Sequence, residues 1–195
     1  MSRQRALVAL LLVIATAAGM LANAITSERS PFGSVRVNAD LGEDITLPPL
    51  TIHVHGAQAA RELLQWGLFD EQPTPIDSAG VFVLVDISYA SIERNSILSL
   101  GDVTLRDGQG REFPLSTRVD ASNWSAGPDI WLRGDLVFEV APDSLGSLEL
   151  VLEPAPDTFG PMPVRYAVVP LPLNGDEVLA QAEAAEPELL DAGQR

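Results

Sequence analysis

The chain has no cysteine and no lysine; all twelve of its basic residues are arginine. Without cysteine there is no disulfide, no thiolate metal ligand and no thiol nucleophile. Without lysine there is no P-loop lysine, no Schiff base and no Ser-x-x-Lys nucleophile. In a chain rich in alanine, glycine and proline, arginine-only basicity reads as GC-rich coding rather than a functional choice. Histidine is nearly absent as well, with two residues, and aromatic residues make up 6%. Positive charge is scarce against 27 acids, and the formal net charge is −15. Such a surface repels nucleic acid and anionic lipid headgroups, so neither is an expected partner. Solubility in an exterior medium is the simplest use for it.

The N-terminus carries the clearest signal. Arg3 and Arg5 precede an uncharged run from Ala6 to Met20, which closes on Leu21-Ala22-Asn23-Ala24. Basic, apolar, then small-x-small is the order of a secretory signal peptide. Ala6 to Thr26 is also long enough to stay uncleaved as an anchor, since about 20 residues cross the hydrocarbon core. With the arginines held inside, both readings place the rest of the chain on the outer side of the cytoplasmic membrane, secreted or tethered. Removing residues 1–24 from the 195 leaves 171, one domain's worth, and shifts the charge from −15 to −17. Residues 25–33 read as a linker.

From residue 34 to 173 the dominant period is two, the signature of strands with one buried face. Val35 and Val37 alternate with polar residues, as do Ile52 and Val54, Val103 and Leu105, Leu136, Phe138 and Val140, and Leu148, Leu150 and Leu152. Val164, Tyr166 and Val168 close the series. Val81 to Ile87 is apolar on both faces at first and alternating at its end, as a central strand would be. Asp107-Gly108-Gln109-Gly110 supplies hairpin-turn chemistry. Eight or nine short strands punctuated by Gly, Pro, Asp and Asn predict an all-β, immunoglobulin-like antiparallel β-sandwich. Ala57 to Trp66 has helical composition and is expected to form two or three helical turns. Residues 174–195 are Ala-, Glu- and Leu-rich, interrupted by Pro187, and are expected to be a frayed helix or a disordered acidic tail that adds little to the sandwich.

Three segments carry a resemblance. Gly80-Val81-Phe82-Val83-Leu84-Val85-Asp86-Ile87, then Leu100 to Phe113 with its Asp107-x-x-Gly110 turn, then Gly134-Asp135-Leu136-Val137-Phe138-Glu139-Val140 resemble the central and late strands of a telokin-like, immunoglobulin-like extracellular family of unknown function. The similarity spans about residues 35–155. It departs from the family at Ser88-Tyr89-Ala90, where an asparagine is usual, and at Pro142, one position late. The resemblance implies an exported domain of the kind attached to the membrane in Gram-positive bacteria. It implies no chemistry, and so no functional residues to carry over.

Few residues point to chemistry. His53 and His55, two apart on an expected strand, turn both rings to one face and so could present two nitrogens to zinc or copper. The plainer reading is two polar residues on the solvent side of a strand whose inner face is Ile52 and Val54. There is no Gly-x-Ser-x-Gly elbow, no phosphate-cradling glycine loop and no calcium loop. No pair among the 27 acids is marked out for glycoside hydrolysis. Trp66, Trp124 and Trp131 fall in loop-like stretches; they are expected to cap the open end of the core, with partner contact as the alternative. The sequence therefore predicts a non-enzymatic exported module without a cofactor. Its expected partner is another envelope or membrane protein, with membrane contact through the N-terminal segment if that stays uncleaved. A metal site on His53 and His55 and a secreted small-ligand carrier stand as alternatives.

Overall fold

A computed structural model of the chain describes residues 34–65, 72–98, 103–119, 125–153, 164–184 and 188–189. The signal or anchor segment, the linker, Trp66 and Trp124 lie outside them. The chain divides into two compact units. Residues 36–159 and 165–195 form the larger one; residues 1–35 and 160–164 form the smaller, of which only Ser34, Val35 and Val164 are described.

The expected alternation produces two sheets. One runs in the order β1 (Ser34–Asn38), β11 (Val164–Pro170), β10 (Glu149–Leu152), β6 (Val103–Arg106) and β7 (Glu112–Pro114). The other runs β12 (Glu188–Leu189), β3 (Leu50–Gln65), β4 (Thr74–Ser91) and β9 (Leu132–Val140), with β2 (Asp44–Leu47) also paired to β3. A two-stranded ribbon, β5 (Ser96–Ile97) and β8 (Ser125–Ala126), completes the described strands. The inward residues of both large sheets meet in one core. Ile52, Val54, Val83, Val85, Ile87 and Phe138 come from one sheet, and Val103, Leu105, Leu150, Leu152, Ala167 and Val169 from the other. Two facing sheets sharing a core are a β-sandwich. The Asp107–Gly110 turn joins β6 to β7 as expected, with Gly110 at φ 81°.

The stretch from Ala57 is not a helix: residues 57–65 are the second half of β3 and pair with β4. Irregularities in register between Val54 and Gly56 and between Ala60 and Glu62 disguise the period in the sequence. The first adds His55 to β3, the second sets one β3 residue, Arg61, against four of β4, residues 78–81, and each flips the parity of β3 beyond it. Ala57 and Ala59 thereby face the main core, while Ala60 and Leu63 face outward. There they join a second apolar cluster with Phe82, Leu84, Val119 and Val137. Strand β4 is buried on both sides for this reason, which accounts for its apolar run. Gly80 lies where β4 approaches β9 so closely that a Cβ would fall 2.2 Å from the Val140 carbonyl oxygen.

Residues beyond 174 include a helix, one of the two expected forms, but depart from the expectation that they add little to the sandwich. Helix α1 (Gly175–Ala184) lays Val178 and Leu179 on the main core and buries Ala182, and Glu188–Leu189 pairs in parallel with Leu63–Leu64. Composition suggests a loose tail because the apolar residues here are few, yet they need only fill the space beside β3. Among the described residues no helix is long and apolar enough to cross a membrane.

The core contacts set the cost of two changes. Phe138→Ala, at a fully buried side chain, should cost about 3–5 kcal/mol in urea unfolding. Truncation after Asn174 removes Val178, Leu179 and Ala182 from apolar contact and should cost about 2 kcal/mol or more; an unchanged midpoint would mean that the helix adds nothing to the domain.

Candidate functional site

The two histidines lie on the outward face of the β2–β3–β4–β9 sheet, as their spacing implied. Register places a polar row straight across four strands: Asp44 opposite His53, His53 opposite Ser88, and Ser88 opposite Arg133. The irregularity after Val54 leaves His55 as the extra residue beside Gly56, which pairs with Asp86. The two imidazole rings lie 4.4 Å apart between centroids and are tilted by 46°. His53 Nδ1 stands 2.7 Å from Asp44 Oδ1, and His55 Nε2 stands 2.7 Å from Ser88 Oγ. An ionised carboxylate can only accept, so His53 Nδ1 donates to Asp44. Arg133 donates to both oxygens of Asp86, through Nε at 2.9 Å and through Nη2. These bonds hold the Asp86 carboxyl below its ordinary range against a smaller opposing effect of burial, with His55 and His53 adding weaker attraction. The same pair raises the Arg133 guanidinium.

Ser88 and His55 have the separation of a nucleophile and its base, but the rest of a hydrolytic site is missing. Asp44 orients His53 rather than the ring that touches Ser88. Ser88 also sits inside a strand whose backbone is paired on both sides, so its neighbourhood offers no convergent N–H groups for an oxyanion. Among the described residues no group of three His, Cys, Asp or Glu is placed to hold a metal ion. Sequence reasoning identified the histidines and missed Asp44, Asp86, Ser88 and Arg133, whose proximity comes only from cross-strand register.

A second feature is a groove of about 590 Å³ lined in part by Arg106, Asp107, Gly108, Ser147 and Glu149. Its polar network is structural. The buried Asp107 carboxylate accepts from the backbone N–H groups of Gln109 and Arg111, from Arg111 Nε and from the Ser144 hydroxyl. Ser144 belongs to the 3-10 turn Pro142–Ser144, so the network ties the β6–β7 turn to that turn. Burial works against ionisation of Asp107, but these bonds outweigh it and hold the carboxyl down to about 2.

A third feature is apolar. Ile92, Ile97, Ile130 and Trp131 are large and exposed, at 41%, 51%, 60% and 46%. They cluster where β4 ends and β9 begins, around the β5–β8 ribbon. Trp131, expected to cap the core or contact a partner, thus leaves nearly half of its surface to solvent. Backbone bonds hold the tip in shape: Ser91 N–H donates to the Gly127 carbonyl, Asp129 N–H to Ser91, and Ile130 N–H to Gly127. Asp129 accepts a φ of 57° within this turn, a strained value for a residue with a Cβ.

No family model and no curated protein matches the sequence. Solved structures give distant likenesses. The yjhA protein of Bacillus subtilis is 13% identical with a TM-score of 0.49, covering 68% of this chain and 98% of its own. A beta-sandwich protein of Clostridium difficile is 12% identical at 0.45, covering 72% and 99%. The secreted protein MPT63 of Mycobacterium tuberculosis is 11% identical at 0.40, covering 69% and 98%. All three scores are below 0.5, and they say nothing about activity or location. The telokin-like resemblance holds only at the level of a β-sandwich.

Asp107 sets a pH signature. Its folded carboxyl titrates below its unfolded counterpart, so the stability it contributes is complete above about pH 4 and is lost as pH falls toward about 2. Asp107→Asn should therefore melt below the wild type at pH 6, with the gap closing as the pH approaches 2. A gap independent of pH would show that the carboxylate's charge is not what matters.

Proposed function

We propose that the chain is an exported, non-enzymatic β-sandwich module that binds another protein of the cell envelope through the apolar tip formed by Ile92, Ile97, Ile130 and Trp131. The observation that carries this reading is the exposure of four large apolar side chains on one hydrogen-bonded end of the sandwich. Single exposed hydrophobes are ordinary, but several on neighbouring strands and turns at one end of a fold point to an interaction surface. Tryptophan and its apolar neighbours anchor interfaces because burying them releases the most water per residue ordered. A protein is the better occupant than a membrane, because the net charge of −15 opposes approach to anionic headgroups. Rigid backbone beneath the tip favours recognition too, since little order must be imposed on binding. The basic and apolar N-terminus supports export as the route to that partner.

Photocrosslinking in the intact host tests the reading. The full chain should fractionate with envelope or medium, and a photoreactive residue at Ile97 should give one discrete protein adduct that the same residue at exposed Arg165 does not. Ile130→Ala with Trp131→Ala should reduce that adduct about tenfold or more while leaving the melting temperature within a few degrees, as exposed substitutions do. A mainly cytosolic protein, or adducts equal at both positions, would refute it.

A further inference from the structure

The imidazole pair on the sheet's outer face is separate from the apolar tip and has a feature of its own. Each ring uses one nitrogen on a protein partner, Nδ1 of His53 on Asp44 and Nε2 of His55 on Ser88. The other two nitrogens, Nε2 of His53 and Nδ1 of His55, make no hydrogen bond to the described residues. Metal-binding imidazoles have this arrangement: the ring's far N–H is held by a carboxylate or hydroxyl, which fixes the tautomer and turns the other lone pair outward. Here His53 lies on the four-strand polar row and His55 beside it, with ring centroids 4.4 Å apart, a separation that two ligands of one ion can have when each nitrogen is about 2 Å from it. The Ser88 hydroxyl can accept from His55 Nε2 and leave its Nδ1 lone pair free.

We propose that His53 and His55 form a two-imidazole binding site for Cu²⁺, oriented by Asp44 and Ser88. The choice of ion comes from what the site lacks. A structural zinc site takes four protein ligands in a tetrahedron, and among the described residues no third His, Cys, Asp or Glu is placed to join a metal cluster. Asp86, the nearest acid on the next row, is already engaged by both hydrogen bonds from Arg133. Two adjacent nitrogens with the remaining positions left to water match tetragonal Cu²⁺, which also binds nitrogen sites most tightly among the first-row divalent ions. The charge of Asp86 is balanced by Arg133, so the Asp44 carboxylate beside His53 is the acid that attracts a cation there.

Since the chain contains only these two histidines, any imidazole bound to copper reports on this pair alone. Protein expressed without a histidine tag is titrated with CuCl₂, and paramagnetic resonance counts the imidazole nitrogens on the ion. The expected result is one equivalent of Cu²⁺ with two imidazole nitrogens, and tighter binding of Cu²⁺ than of Ni²⁺ or Zn²⁺. His53→Ala and His55→Ala should each leave one nitrogen and weaken binding at least about tenfold. Asp44→Asn should keep both nitrogens but weaken binding about tenfold, the usual effect of losing an orienting carboxylate. Copper held only by oxygen ligands, an affinity unchanged when His53→Ala and His55→Ala are combined, or Zn²⁺ bound more tightly with four protein ligands would overturn the proposal. Circular dichroism of each variant separates lost binding from lost fold.

Discussion

The pairing of β3 with β4 is the constraint on which the rest of the molecule depends. β4 is hydrogen-bonded along one side to β3 and along the other to β9. Its alternate residues serve two different interiors, with Val81, Val83, Val85 and Ile87 entering the main core and Phe82 and Leu84 entering the second cluster. One error of register in this pair would exchange those sets, and with them every outward side chain. The two irregularities of β3 are therefore part of the specification. They hold Ala57 and Ala59 against the main core while keeping Ala60 and Leu63 on the opposite face.

The same pairing explains what could be read from the sequence and what could not. Strands such as Leu148-Leu150-Leu152 and Leu136-Phe138-Val140 show in the amino acids because their two faces meet different surroundings, and a period of two survives. β3 defeats that test. Residues 57–64, Ala-Gln-Ala-Ala-Arg-Glu-Leu-Leu, are strong helix formers. In the structure their local preference yields to a long antiparallel partner and to apolar surface on both faces, a tertiary override of propensity. Helix α1 shows the converse. Its own pattern is thin, and what gives it a place is the exposed flank of β3, which no local window of sequence displays.

The candidate sites divide in the same way. His53 and His55 were visible because period-two geometry acts within one strand. Asp44, Ser88 and Arg133 were not, because they reach the histidines through register across three further strands. The tip was equally hidden. Ile92, Ile97, Ile130 and Trp131 are drawn from separate stretches of chain, and their exposure depends on how the β5–β8 ribbon and the turn at Gly127–Ile130 are tied to Ser91. A tryptophan in a loop is compatible with capping or with contact, and only its exposure in the fold decides between them.

The polar row and the tip both lie toward the end of β4 and the start of β9. Ser88 of the polar row and Ile92 of the tip are four residues apart, about 13 Å of extended chain, but Arg133 of the same row is only two residues, about 7 Å, from Trp131. Between Ser88 and Ile92, β4 is laddered to β3 as far as Ser91 and to β9 as far as Tyr89. Substitutions separated by more than about 7–10 Å, and sharing no partner, act nearly additively. The hydrogen bonds of His53, His55 and Asp44 stay within the polar row, and those that shape the tip run between Ser91, Gly127, Asp129 and Ile130. Substitutions at His53 and His55 should therefore act nearly independently of those at Ile92, whereas Trp131 and Arg133 are close enough along the chain to couple.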